Sequence, residues 1–354
     1  MTSAEGVSVE HPLGDRAGAD PALVWRTIAG YEFYWAAVAA IELGLFDALV
    51  PSPSSAADLG PRLDCDPARL TALCDVLVAS GLLVRVGAAP DGAFALSATA
   101  SAFLVSDAER SMKNLLLRSP GPWENWPGLA STMRGADPPR PADGTFYAGL
   151  VEATFPTQFA AARVLASKMS DARAVLDLGA GAAPWSIAFL ETFPRATAVA
   201  VDLPEVIPAA RNAAALHGVG DRLQLVSGDY WQAAIDKESF DIVILAHVVR
   251  AEGPRAPDLI RRAAAFLAAD GTLAVADYFV DDDRNGPVNS LLLGLTMMSA
   301  TPDGRTFTRA EHRAWFADAG LGDIENHQLI PGQEVMTARK PLGPSTQTRE
   351  ESRE

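Results

Sequence analysis

From Pro21 to Val50 the apolar residues recur at helical spacing but spread around almost the whole circumference (WRTIAGYEFYWAAVAAIELGLFDAL). A helix apolar on nearly every side must bury several faces. In a short leading domain, the extra face predicts contact with a second subunit. Residues 56–104 change rhythm. AADLGPRLDCD predicts a short helix and turn, and PARLTALCDVLVASG a second helix. Pro67 sits in its first turn, and Gly81 can supply the left-handed residue that ends it. LLVRV and AFALS flank GAAPDG as a hairpin. Together these elements predict a winged helix-turn-helix. Its second helix carries only Arg69 as a cation, so a dimerising role is expected rather than DNA binding.

Residues 105–170 predict helices interrupted by SPGPWENWPG and GADPPRPADG. The last of them runs from about Thr154 to Met169. Trp123, Trp126, Phe146, Tyr147, Phe155 and Phe159 gather here; ordinary core packing explains most of them, and some, with Trp123, Phe155 and Phe159 put forward, are candidates to line an aromatic acceptor pocket. From Ala174 onward, short apolar runs alternate with helical segments: AVLDLG, ATAVAVDL, LQLVSGD, FDIVILAH and TLAVADYFV. Runs apolar throughout suit strands buried on both faces of a parallel sheet, and the intervening helices complete a doubly wound α/β fold. The expected organisation is a disordered N-terminus (1–20), a winged-helix dimerisation domain (21–105), a helical linker and substrate-pocket region (106–170), a Rossmann-like catalytic domain (171–340) and a disordered tail (341–354).

Composition narrows the function. The 354 residues include 49% hydrophobic and 21% charged positions, enough for two cored domains. A net charge of −15 argues against a nucleic-acid partner, because a phosphate backbone rewards clustered Lys and Arg. Cys65 and Cys74 read as small apolar residues, which fits a reducing compartment. The first twenty residues lack a basic start and an apolar run, and no apolar stretch is long enough to span a bilayer. A cytoplasmic protein without membrane contact is expected.

The chemistry starts at Val175-Leu-Asp-Leu-Gly-Ala-Gly-Ala182, a buried strand followed by a G-x-G turn entering a helix. Asp177 stands at the strand's carboxyl end, where open α/β sheets bind ligands. Gly179 and Gly181 let the backbone turn tightly. The third glycine of a dinucleotide fingerprint is absent, so no pyrophosphate is expected. Asp202 ends the next apolar run and is followed by Leu203; a carboxylate there can accept ribose hydroxyls. Asp229 ends the third run and can accept an adenine amino group, with Tyr230 or Trp231 flanking the ring. The fourth run ends at Ala246-His247. Four strand ends with this chemistry predict S-adenosylmethionine (SAM).

DLGAGAAPWSIAFLETFPRATAVAVDLPEVI, GDYW, LAADGTLAVADYFVDD and TPDGRTFTRAEHRAWFADAGL together resemble the plant and bacterial small-molecule O-methyltransferases, antibiotic-tailoring and hydroxyneurosporene-type enzymes among them. The resemblance covers roughly Ala29 to Ala338. It implies SAM as cofactor, an intertwined homodimer and an acceptor bound between the domains. Carried over, the cofactor residues are Gly179, Asp202, Leu203, Asp229, Tyr230 and Ala246, with Asp177 and Gly181 supporting the turn.

At one place the sequence departs from these relatives. They carry a histidine base after the fourth strand, and here that position holds Arg250, in Ile244-Leu-Ala-His-Val-Val-Arg-Ala-Glu252. A guanidinium stays protonated and cannot act as a base. Arg250 could hold an anionic acceptor by a bidentate contact, or serve only as a salt-bridging residue. His247 could act as a displaced base, or pack against SAM. Or the transfer could need alignment alone. O-, C- and N-methylation therefore stay open, as does a SAM-binding enzyme that decarboxylates, hydroxylates or rearranges its substrate. His11, His217, His312 and His327 lack ligand spacing to His247, so no metal site is expected. Asn289, Met297 and Met298 complete the candidate acceptor-binding residues, the methionines being adaptable apolar surfaces.

Overall fold

The computed structural model describes residues 20–88, 92–117, 125–137, 144–301, 303–330 and 333–342. The expected termini at 1–20 and 341–354 lie almost wholly outside them, as does Trp123. The chain divides into two compact units, Met1–Val105 and Ser106–Glu354.

In the first unit, α1 spans Ala22–Glu42 and ends before Gly44, whose φ of +72° breaks the helix predicted to continue to Val50. A separate turn, Leu45–Ala48, follows. The burial of α1 is uneven: Ala37, Val38, Ala40 and Ile41 are buried, whereas Leu23, Val24, Trp25, Tyr31 and Trp35 are more than half exposed. Next come α2 (Ala56–Arg62), capped by Ser55, and α3 (Pro67–Ala79), capped by Asp66 with Pro67 at its first position. Gly81 is left-handed, as expected. Strands β1 (Leu83–Val86) and β2 (Ala93–Leu96) pair antiparallel, Leu83 opposite Leu96, and make the wing.

The second unit holds the catalytic fold. Helix α4 (Gly144–Ala166) begins ten residues before the predicted start and continues through Pro156. Proline removes one helical hydrogen bond, but Ala161, Ala162 and Leu165 are fully buried beyond it, and tertiary packing outweighs the local defect. All five predicted strands form: β3 (Ala174–Leu178), β4 (Thr197–Asp202), β5 (Leu223–Ser227), β6 (Phe240–Ala246) and β7 (Leu267–Asp277). Two further strands, β8 (Gly322–Ile330) and β9 (Gln333–Arg339), extend the sheet antiparallel, in the order β5-β4-β3-β6-β7-β9-β8.

Period-two alternation divides the core. Val175, Ile242 and Ile244 face α4, α5 (Pro184–Thr192) and α6 (Ile207–Leu216). Leu176, Leu178, Val243 and Leu245 face α7 (Ala256–Phe266) and α9 (Arg309–Asp318), the helix that follows α8 (Val288–Ala300). Burial of both faces leaves the carboxyl ends of β3–β7 as the polar margin of this sheet. Among the described residues, no helix is long and apolar enough to cross a membrane.

Candidate active site

Asp177, one residue before the end of β3, is fully buried. Its Oδ2 accepts from the Ser186 Oγ at 2.8 Å and the Ser186 N–H at 3.3 Å. Its Oδ1 has no partner. Burial pushes this carboxyl up to about 7, against the lowering effect of the Ser186 hydrogen bonds. The turn that follows is left-handed at Gly179, Gly181 and Ala183. A Cβ on Gly179 would lie 2.4 Å from Val248 Cγ1, and one on Gly181 3.0 Å from Val151 Cγ1. Both glycines are therefore required by internal packing as well as by φ.

Asp202 ends β4. Its Oδ2 accepts from Gly181 N–H at 2.6 Å and its Oδ1 from Leu203 N–H at 2.7 Å. Burial raises its pKa and the two N–H groups partly offset that. Each oxygen keeps a lone pair for a further donor. Asp229, after β5, accepts from Trp231 N–H at 2.8 Å. The Tyr230 hydroxyl donates to Glu252, and burial, reinforced by that carboxylate, raises its pKa. Tyr147 on α4 has its pKa raised by burial and responds to the charges of both Arg250 and Asp202, so its hydroxyl belongs to this polar margin. Paired lone pairs on Asp202 and Asp229, a buried acceptor without a donor on Asp177 and aromatic hydroxyls nearby fit a cofactor bearing ribose hydroxyls, an adenine and an ammonium.

The ends of β6 and β7 carry a different arrangement. His247 follows Ala246, the last residue of β6, at φ +63°, and its N–H donates to Ala276 O on β7 at 2.8 Å. Arg250 stands in the 3₁₀ turn Val249–Ala251. Its Nη1 lies 2.8 Å from His247 Nδ1 and 2.8 Å from Asp277 Oδ1. The His247 Nε2 lies 2.7 Å from Gln158 Oε1, which also accepts from Trp185 Nε1 at 3.2 Å. Burial lowers the His247 pKa, and the Arg250 charge adds to this against the opposing Asp277. Burial alone would raise Asp277, yet the Arg250 guanidinium beside it holds it well below the usual carboxylate range. Both Nη1 protons of Arg250 are committed to protein. No described residue accepts from its Nη2, and its buried Nε lacks a partner. The guanidinium lies 5.7 Å over the Tyr278 ring.

The structure brings together Asp177, Gly179, Gly181, Asp202, Leu203, Asp229, Tyr230, Ala246, His247 and Arg250 along one sheet margin. The proposed acceptor residues are more scattered. Phe155 and Phe159 stack on each other, 5.4 Å between centroids, and lie 5.6 and 4.7 Å from the His217 ring after α6. They close α4 against α6. Asn289 is exposed at the start of α8. Met298 lines a cleft with Leu291, Leu295 and Phe307, and Met297 packs near Gly304. Gln158 and Asp277 are additions to the residues expected from the sequence, and Tyr147, expected among the pocket aromatics, lies on the polar margin instead. Asp277 carried a readable signal, an acid closing an apolar run.

A doubly wound sheet with these strand ends defines a SAM-dependent methyltransferase. Residues 139–322 match the O-methyltransferase domain family and residues 25–106 the O-methyltransferase dimerisation domain. The chain belongs to the O-methyltransferase family. It is 26% identical over 318 residues to the 3-hydroxy-5-methyl-1-naphthoate 3-O-methyltransferase of Streptomyces sahachiroi, covering 85% of this chain and 89% of that one. It is 29% identical over 330 residues to the acetylserotonin O-methyltransferase of Mus musculus, covering 85% and 81%. Among solved structures, human N-acetylserotonin methyltransferase in complex with SAM superposes with a TM-score of 0.78 at 20% identity, covering 94% and 100%. The non-methylating alternative finds no support among these relatives.

Proposed function

We propose that the chain is a cytoplasmic homodimeric enzyme that methylates an acidic hydroxyl on a small aromatic acceptor of specialised metabolism, with Arg250 receiving the acceptor oxygen. The exposed apolar face of α1, within the matched dimerisation domain, supports the homodimer. The net charge of −15 supports a partner other than nucleic acid. The acceptors named for the naphthoate and acetylserotonin relatives support an aromatic oxygen nucleophile.

SAM supplies an electrophilic methyl group when bound. Asp202 would hold its ribose hydroxyls and Asp229 its adenine amino group, with Tyr147 and Tyr230 beside them. The unpartnered Asp177 Oδ1 would meet its ammonium. On the acceptor side, one observation carries the reading: Arg250 is clamped through Nη1 and keeps Nη2 free. A fixed cation beside a hydroxyl favours its ionised form, so the proton can leave to solvent without a protein base. Alignment of the resulting anion then does most of the catalysis. His247 fits the base role poorly, since Arg250 covers the lone pair of its Nδ1.

The test pairs Arg250 and His247 variants, with release of S-adenosylhomocysteine (SAH) as the assay. Arg250→Ala should lower kcat/KM about ten- to a hundredfold, the effect of one charge-assisted contact of ~1.5–3 kcal/mol. Arg250→Lys should recover part of it. His247→Ala should lose no more than Arg250→Ala and leave the pH profile in place. A far larger loss in His247→Ala, with recovery at alkaline pH, would make His247 the base and overturn this reading.

A further inference from the structure

We propose that Gln158 is a positioning residue: with Trp185 it fixes His247 as the neutral Nε2–H tautomer and so turns the Nδ1 lone pair onto Arg250. Gln158, His247 and Arg250 form a chain of atoms whose polarity is forced at both ends. An indole N–H can only donate. The Gln158 atom 3.2 Å from Trp185 Nε1 is therefore its oxygen, which removes the usual ambiguity of an amide. That oxygen has a second lone pair, and His247 Nε2 lies 2.7 Å from it. Two acceptors cannot face each other, so Nε2 carries a proton. At the other end, a guanidinium can only donate, and Arg250 Nη1 lies 2.8 Å from Nδ1. Nδ1 must present a lone pair. The two ends demand the same tautomer independently.

Protonation of Nδ1 would set N–H against N–H and one cation against another. The groups around the ring divide as follows. Arg250 opposes the imidazolium. Asp277 favours it, but its Oδ1 lies 3.9 Å from Nδ1, with Arg250 Nη1 held at 2.8 Å from both. Gln333 on β9 contributes a smaller favourable hydrogen bond. The Tyr278 ring packs 5.4 Å away. Gln158 and Trp185 are buried, so water does not compete for the amide oxygen. His247 is thus a strut: it relays the polarity of Gln158 to the guanidinium and keeps Arg250 from swinging away. This rests on the acceptor reading only for its effect on turnover, because the tautomer is a property of the free protein.

The experiment is nitrogen NMR on full-length protein labelled at histidine, with and without SAH. The five histidines give few signals, and His247→Asn identifies the one in question. The expected result is a protonated Nε2, an unprotonated Nδ1 and no titration between about pH 5 and 8, where an ordinary histidine changes charge. The variant Gln158→Glu keeps the size and the acceptor but adds a negative charge that favours imidazolium. Its His247 should titrate in that window. Its kcat/KM should fall about tenfold at mildly acid pH and recover as the ring deprotonates, with SAH affinity unchanged. A structural role alone would not move the pH profile. A wild-type Nδ1–H tautomer, or ordinary titration of His247, overturns the proposal even if the variant fails to fold. So does a folded Gln158→Glu protein whose His247 signals match wild type. If the tautomer is as expected but turnover ignores Gln158→Glu, the acceptor role of Arg250 fails instead.

Discussion

Two buried aspartates, Asp177 and Asp277, stand at the carboxyl ends of strands in the same sheet, yet their electrostatics are opposite. Asp177 is pushed up to about 7 by burial, with only neutral donors from Ser186. Asp277 is as deeply buried but is held far below the ordinary range by the Arg250 guanidinium 2.8 Å away. Each keeps one oxygen without a partner. Burial sets the penalty and the nearest charge decides its sign. The β3 end is an acid short of a cation, suited to a cationic visitor. The β7 end is already neutralised within the protein, suited to anchoring the cation that an anionic visitor meets.

Removing the cation breaks the comparison most severely. Arg250→Ala should destabilise the fold by ~3–5 kcal/mol, because it leaves a buried carboxylate unpaired. Adding Asp277→Ala should recover most of that stability in urea unfolding while turnover stays low. A single variant as stable as wild type would show that Asp277 is not held ionised by Arg250.

The next effect, on the order of 4 kcal/mol, is expected at Asp177. Its folded pKa lies above the unfolded value of 3.8. The stability it contributes is therefore fully present below that value and lost as pH rises through about 7. Asp177→Asn should flatten this slope and leave the ligand-free protein more stable than wild type at mildly alkaline pH. Saturating SAM should narrow the gap, since the cationic ligand favours the native carboxylate. Melting curves across pH would refute the assignment if the variant lost stability throughout.

The smallest change sharpens the cofactor side. Asp202→Ala leaves two ribose hydroxyls without their acceptor and should weaken SAH binding by ~1–3 kcal/mol in calorimetry. Unchanged affinity in a folded variant would remove Asp202 from the site.

The two ends also differ in how far they could be read from the chain. On the cofactor side, the acids take their donors from the turns and the helix start that follow the strands: Leu203 and Gly181 for Asp202, Trp231 for Asp229, Ser186 for Asp177. An apolar run ending in Asp is enough to mark them. The other cluster is assembled over distance. Gln158 meets His247 across 89 positions and Arg250 meets Asp277 across 27. Nothing in TFPTQFAAARV marks the amide as polar core, because an isolated glutamine on a helix usually faces water. Asp277 bears the same mark as Asp202, in TLAVAD. Strand β8 leaves no apolar signature, because GDIENHQLI is largely polar, as an edge strand is.

That last edge bears on how copies of the chain can assemble. Strand β8 exposes Asp323, Glu325, Asn326 and Gln328, and its register to β9 slips at two places. Charged side chains and irregular pairing both hinder the addition of another strand. The sheet therefore ends at β8 rather than offering a template for growth. At this edge, backbone pairing, which can continue without limit from copy to copy, is blocked by the strand's own charges and slips.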